Sequence, residues 1–532
     1  MATNSVYRGI YDTVTLYPKS IPPTVQLVRQ KIQAMEAQNR DDAFFVVDLG
    51  QIFQKLHTWH RLLPRVRPFY AMKCNSDPEV CRFLARAGVG FDCASQVEME
   101  QILSLGVHPS RIVYANPCKA CTHLRYAQER NVDLMTFDDV HELVKIDNYF
   151  PDARLLLRIQ SSKEHKAKHD FNKKFGCDPD DAPKLLKTAR AMGLNVVGVS
   201  FHVGSLPEEV DCFASTIREA KGVFTAGNDA GFNMQVLDIG GGFPGVDEVS
   251  MTFEKVAETV NTALDKHFPA SLGIQIIAEP GRYLVTSAFT VAVNIIAKRV
   301  LYFKSGDLNY NMSDERVLYF KSETSPQKKK SASYLSLVSK DSDYVDEESD
   351  EGADLDSSVD DVDDDKEDMK NTVCMYYIND GIYGAFNNVF TDHAVIYPEL
   401  PATPRSSETF TSVVWGPTCD GLDCVLHECQ LPDLDVGQWL YFHDMGAYTV
   451  SLACAFNGIN RPQLFYVCAD TYWNEVFSSP EEIALTKLSM ASEISTNGKS
   501  LSAQSSATIS GKGLFEKIGA SSCFATKGYR KG

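Results

Sequence analysis

The sequence predicts an α/β chain built from a (β/α)8 barrel and a mostly antiparallel β domain, and three observations carry the prediction. Eight short apolar runs, each closing on a polar or charged residue, recur between Pro68 and Val285. Segments of helical periodicity separate them, and beyond Val285 the runs become alternating, β-branched and aromatic. Apolar runs of this length are buried strands, and a strand followed by a helix eight times over closes into a barrel. Such a barrel takes about 250 residues. The 532 residues present therefore require a second domain, which the alternating runs supply as a sheet.

Taken in order, residues 1–45 end in AFFVVDL, a strand expected to join the second domain. Residues 46–285 hold the barrel runs: PFYAMKCN (68–75), VGFDCAS (89–95), RIVYANPC (111–118), DLMTFDD (133–139), RLLLRIQS (154–161), VVGVSFHVGS (196–205), VLDIGGGFPG (236–245) and IQIIAEPGRYLV (274–285). In the helix after the first run, Ser76 and Glu79 have capping-box spacing, and Val80, Phe83, Leu84 and Ala87 share one face. Residues 286–303 and 373–475 carry the β runs FTVAVNIIAKRV, TVCMYYIND, TSVVWGPTCD, QWLYFHD and QLFYVCAD. Between them, 304–372 is too polar to bury a core and is expected to be a disordered acidic insertion. The Ser-, Gly- and Lys-rich stretch 476–532 is expected to be a flexible tail. RVLYFKS occurs at 299–305 and again at 316–322; only one copy can continue the NIIAK strand in register, so the other is surplus.

Composition narrows the function. Sixteen carboxylates and one lysine fall between Asp341 and Asp368, nearly all of the net charge of −18. The folded body is thus close to neutral and carries no nucleic-acid footprint. The first residues lack an apolar leader, and no run approaches the ~18 apolar residues that span a bilayer, so a cytoplasmic protein without membrane contact is expected. In that setting the fourteen cysteines are reduced thiols. Cys118 and Cys121 form a lone CxxC, better read as two packed thiols than as zinc ligands, and no metal site is expected.

In a (β/α)8 barrel the strand ends and their loops share one mouth, so Lys73, Asp92, Arg158, His202, Ser205, Gly240–Gly242 and Glu279 are expected to converge. The glycine run after the seventh strand, with Gly281 and Arg282 after the eighth, offers bare N–H groups and a cation to an anion, at the usual phosphate site of such barrels. GGGFPG lacks the GxGxxG spacing of a dinucleotide fold. A partly desolvated lysine has a lowered pKa and forms Schiff bases, and a carboxylate at Glu279 can hold a pyridine nitrogen protonated. Phosphate cradle, lysine and carboxylate together point to pyridoxal 5′-phosphate.

The motifs PFYAMKCN, FDCAS, YANPCK, MTFD, GVSFHVGS, LDIGGGFPG, AEPGRY, NDGIYGAFN, WGPTCDGLD and MGAYT closely resemble those of the eukaryotic ornithine decarboxylases, a family with an alanine-racemase-like barrel. The resemblance covers roughly residues 10–470 outside the acidic stretch. It implies decarboxylation of L-ornithine to putrescine and carbon dioxide, the first step of polyamine biosynthesis. It implies that Lys73 holds pyridoxal phosphate as a Schiff base, that His202 stacks on the ring and that Glu279 pairs with the ring nitrogen. Ser205, Gly240, Gly241, Gly242, Gly281, Arg282 and Tyr448 are implied to hold the phosphate, with Asp92, Glu98 and Arg158 as a supporting polar network. Cys419 resembles the thiol that returns a proton to the substrate carbon; Tyr383 lines the site, and Asp392 and Asp420 receive the distal ammonium. The family also implies a homodimer, in which the loop of Cys419 and Asp420 enters the partner's barrel mouth. In its animal members an antizyme binds a surface that corresponds to about Lys119–Lys145 here, a stretch that reads equally as a solvated helix face.

Three residues depart from the family pattern. Asn172 stands where serine is usual, Thr391 where tyrosine precedes the aspartate, and Leu206 where glycine follows HVGS. They bear on the shape of the distal pocket and so on substrate length. Two rivals follow. A decarboxylase of lysine or another basic amino acid is close, because one methylene is worth only about 1–3 kcal/mol of discrimination. A non-catalytic regulator resembling the antizyme inhibitors is disfavoured, because Lys73, Asp92, Arg158, Arg282, Tyr383, Cys419 and Asp420 are all present.

Overall fold

The computed structural model describes residues 14–165, 167–169, 171–247, 251–302 and 372–478. The acidic stretch, the second RVLYFKS copy and residues 479–532 lie outside the described residues, whereas Thr372 belongs to a strand and Val476 and Phe477 end the helix Asp470–Phe477, against the boundaries expected for the insertion and the tail. Two strands, β1 (Val14–Tyr17) and β2 (Phe44–Asp48), precede the barrel. Its staves are β3 (Val66–Ala71), β4 (Gly90–Cys93), β5 (Ile112–Tyr114), β6 (Leu134–Phe137), β7 (Arg154–Arg158), β9 (Asn195–Ser200), β11 (Val236–Asp238) and β12 (Gln275–Ala278), one in each predicted run. All pair in parallel with their neighbours in that order, and β12 closes on β3. Two further short strands, β8 (Ala167–His169) and β10 (Ser205–Pro207), form an antiparallel ribbon that the apolar pattern did not announce.

The closure follows from which side chains face inward. Phe69, Val113, Ala115, Leu134, Leu156, Val197, Val236 and Ile277 form a small cluster of their own, and the other strand faces join the helices in the main core. Full burial of each such side chain is worth about 1.5–3 kcal/mol. Helix starts are less local than their spacing suggests. The helix Pro78–Arg86 is capped by Asp77, whose Oδ1 accepts from Glu79 N (3.1 Å) and Val80 N (3.0 Å), and not by Ser76. The residue nearer the proline has the better reach. A near relative of the reciprocal pattern occurs at Ser95 and Glu98: Ser95 Oγ accepts from Glu98 N, and the Glu98 carboxylate reaches one residue past the cap to accept from Ala94 N at 2.5 Å.

The second sheet runs β1-β18-β2-β13-β14-β15-β16, with β17 also on β13. Its later strands are β13 (Phe289–Tyr302), β14 (Thr372–Ile378), β15 (Thr409–Trp415), β16 (Cys424–Pro432), β17 (Trp439–Phe442) and β18 (Gln463–Ala469). Four pairings are antiparallel and three, β1·β18, β18·β2 and β14·β15, are parallel, so the sheet is mixed. The parallel pairs are possible because helices or long connections separate those strands. Arg299–Tyr302, from the first RVLYFKS copy, continue β13 opposite Thr372–Met375.

No helix among the described residues is long and apolar enough to cross a membrane. Lys119 is no surface cation: its ammonium is buried 3.0 Å from Glu142 Oε1, and burial pulls it down to about 8 against the attraction of Glu142. Lys145 pairs with the other Glu142 oxygen at 2.6 Å.

Candidate active site

The turn Met72–Cys74 carries Lys73 off the end of β3 into a narrow cleft. His202, Ser205, Gly241, Gly242, Glu279, Gly281, Arg282 and Tyr448 line the same cleft, together with Ala71, Leu206 and Phe243. The barrel mouth thus gathers these residues from loops after four staves, and Tyr448 arrives from the β domain. The loop of Tyr448 is pinned there: Tyr448 N and Ser451 Oγ each donate to Cys74 O at 3.0 Å, and Asn75 Nδ2 donates to Gly446 O at 2.8 Å. Tyr448 itself takes φ +55°, and its ring lies 4.9 Å from the Arg282 guanidinium.

Lys73 Nζ lies 2.5 Å from Asp92 Oδ2. The expectation of a lowered lysine pKa is corrected here. Burial does oppose the ammonium, but Asp92, then Glu279, outweigh it and hold the lysine above its ordinary range. Asp92 is buried at the end of β4, and its Oδ1 has no hydrogen-bond partner among the described residues. His202 is driven the other way. Burial first, then the charges of Arg158 and Lys73, push it well below its ordinary value, so the imidazole is neutral. Its Nδ1 accepts from Gly204 N at 3.0 Å, which leaves the proton on Nε2.

The sequence reading missed Asp238. This carboxylate ends β11, fully buried, its Oδ1 accepting from Gly240 N at 2.9 Å, and it stands close enough to Glu279 to raise that acid's proton affinity. Burial, then Asp238 and Asp92, push Glu279 well up. A charged residue inside the apolar run VLDIGGG was the available signal. The glycines after it are demanded sterically. Gly240 holds φ +63°, and a Cβ there would lie 2.1 Å from Phe201 O; one on Gly241 would lie 2.8 Å from His202 Nε2.

The remaining predicted residues fall in two places. Asp392 lies at Arg282, Oδ2 2.6 Å from Nη2, and Arg158 stands under Phe175, its guanidinium 5.0 Å from the ring. Tyr383, Cys419 and Asp420 form a separate group on the β domain. Tyr383 OH donates to Asp420, which raises the phenol to about 12 and lowers the carboxyl, and Cys419 N donates to Asn457 Oδ1 at 3.0 Å. Cys419 is exposed, and none of the three lines the Lys73 cleft. Of the departures, Leu206 occupies φ +54°, a conformation that costs a side-chain-bearing residue about 1–2 kcal/mol. Asn172 clamps its loop, its amide exchanging bonds with Ser161 N (3.0 Å) and Ser161 O (3.1 Å).

A parallel barrel with a lysine, a buried carboxyl pair and an arginine beside a glycine run at its mouth defines a cofactor-binding barrel enzyme. The donor set suits pyridoxal phosphate: a primary amine, an acid partner for a ring nitrogen, and a cradle that a Cβ would fill. Residues 49–286 match the pyridoxal binding domain, and residues 354–446 the C-terminal sheet domain, of the pyridoxal-dependent decarboxylases, and the chain belongs to that family. It is 40% identical over 448 residues to the ornithine decarboxylase of Rattus norvegicus, covering 84% of this chain and 85% of that one. It is 39% identical to antizyme inhibitor 2 of Xenopus laevis, over 85% of this chain and 86% of that one. The crystal structure of the Paramecium bursaria Chlorella virus arginine decarboxylase superposes with a TM-score of 0.67 at 28% identity, over 83% of this chain and all of the other.

Proposed function

We propose that this chain decarboxylates L-ornithine to putrescine and carbon dioxide. The observation that carries the reading is the convergence of Lys73, Asp92, Glu279 and Arg282 on one cleft in a chain with 40% identity to an ornithine decarboxylase. When bound, pyridoxal phosphate supplies a protonated ring that takes up the electron pair left as carbon dioxide departs. Lys73 is the amine for its carbonyl, and Asp92, 2.5 Å away with one oxygen unsatisfied, is placed to take the proton Lys73 must lose. Glu279, protonated, would pair with the ring nitrogen, Arg282, Ser205 and the Gly240–Gly242 backbone would hold the phosphate, and neutral His202 would lie against the ring.

Cys419 as the acid for carbon, and Tyr383, Asp392 and Asp420 as the substrate-binding groups, belong to this proposal. So does a homodimer with shared sites. Its support is that Cys419 and Asp420 stand outside the Lys73 cleft, beside exposed Leu422 and near exposed Phe456, whose ring lies against Tyr383. Apolar side chains clustered around reactive groups suit a surface that another chain covers.

The likeness to an antizyme inhibitor favours a second reading, a non-catalytic regulator. One experiment separates the readings: purified protein with added cofactor is assayed for amine and carbon dioxide from ornithine and from lysine. Turnover of ornithine in excess of lysine is expected. Turnover of neither, with the cofactor bound, supports the regulator.

A further inference from the structure

The anion subsite contains a charge that works against it. Arg282 Nη2 donates to Ser205 Oγ at 3.0 Å, yet the same nitrogen lies 2.6 Å from the buried Asp392 Oδ2. A carboxylate there cancels the guanidinium and repels a phosphate dianion. On its other side stands His169, whose Nε2 is 3.0 Å from Asp392 Oδ1. Neither His169 Nε2 nor Asp392 Oδ2 is aligned for a hydrogen bond, so the pairing acts through charge. The ribbon β8·β10 sets the position, because Ser205 is the register partner of His169.

Other charges nearby are accounted for. Lys168 places its ammonium on the carbonyl oxygen of His393, the residue after Asp392, at 3.0 Å. Glu209, past the end of β10, is taken by His165 at 2.7 Å. Tyr448 and Cys74 also face Asp392, and burial pushes both well up, so neither carries charge near neutrality.

We propose that protonated His169 offsets Asp392 and so returns the charge of Arg282 to the cofactor phosphate, which makes His169 a positioning residue of the anion subsite. The inference rests on the family's cofactor.

Binding of pyridoxal 5′-phosphate, and of pyridoxal as the phosphate-free probe, is measured on the full chain by fluorescence at one mildly acidic pH. Variants are compared with the parent at that pH, which cancels the ionisation of the ligand itself. His169→Gln is expected to weaken pyridoxal phosphate by about three- to tenfold. It should leave pyridoxal unchanged. Adding Asp392→Asn to it should restore affinity. An unchanged affinity in His169→Gln, an equal loss for pyridoxal, or no rescue by Asp392→Asn overturns the proposal. Failure of the parent chain to bind the cofactor at all overturns the cofactor assignment beneath it.

Discussion

Proton affinity governs the chemistry at the level of single residues. Lys73 is held charged chiefly by Asp92, whereas Glu279 is held protonated by burial and by Asp238. A catalytic amine in this setting depends on its carboxylate to give up a proton. Lys73→Ala is expected to reduce turnover by orders of magnitude while the fold survives, as followed by steady-state rate and circular dichroism. Asp238→Asn tests the unannounced partner. Without that like charge Glu279 holds its proton less firmly, and because the protonated form is the one required, the alkaline limb of the kcat/KM profile should move to lower pH. A limb that stays in place would show that Asp238 does not set the proton affinity of Glu279.

Loops behave as elements organised around buried carboxylates. Asp423 accepts from Ile382 N and Thr418 N at 2.9 Å, and a Cβ on Gly381 or Gly416 would come within 2.2 Å of its Oδ1. NDGIYGAFN and WGPTCDGLD are thus two loops closed on one side chain, and this closure presents Tyr383 and Cys419 together. Gly416→Ala should cost about 1–3 kcal/mol in denaturant unfolding and lower turnover through Cys419. Asp380 makes the same point with a pH dependence. It accepts from Gly381 N and Ala385 N at 2.9 Å, and burial raises it to about 7. An acid raised on folding contributes stability that is complete below its unfolded value near 3.9 and is lost as pH rises through about 7. Thermal unfolding of Asp380→Asn should therefore depend less on pH between about 4 and 7 than that of the parent, by on the order of a few kcal/mol.

The proposed shared site is a property of the whole molecule. Lys73 and Glu279 belong to the barrel and Cys419 to the β domain, and within one chain they do not line one cleft. Lys73→Ala and Cys419→Ala, each inactive alone, should regain about a quarter of the parent activity after subunit exchange, since half the dimers are mixed and each has one intact site. No recovery despite demonstrated exchange would mean that each chain completes its own site.

The pattern of residues determined the eight staves, the second sheet's main strands and most of the cleft lining by itself, because strand and helix periods are local and a barrel sends every strand end to one mouth. It could not determine β16, the parallel pairings or the β8·β10 ribbon, which depend on partners distant in sequence. Nor could it determine the charge on Lys73, the pairing of Asp238 with Glu279, or the place of His169 beside Asp392. Those are decided by which charges burial brings within a few ångströms of one another, and only the folded chain sets those distances.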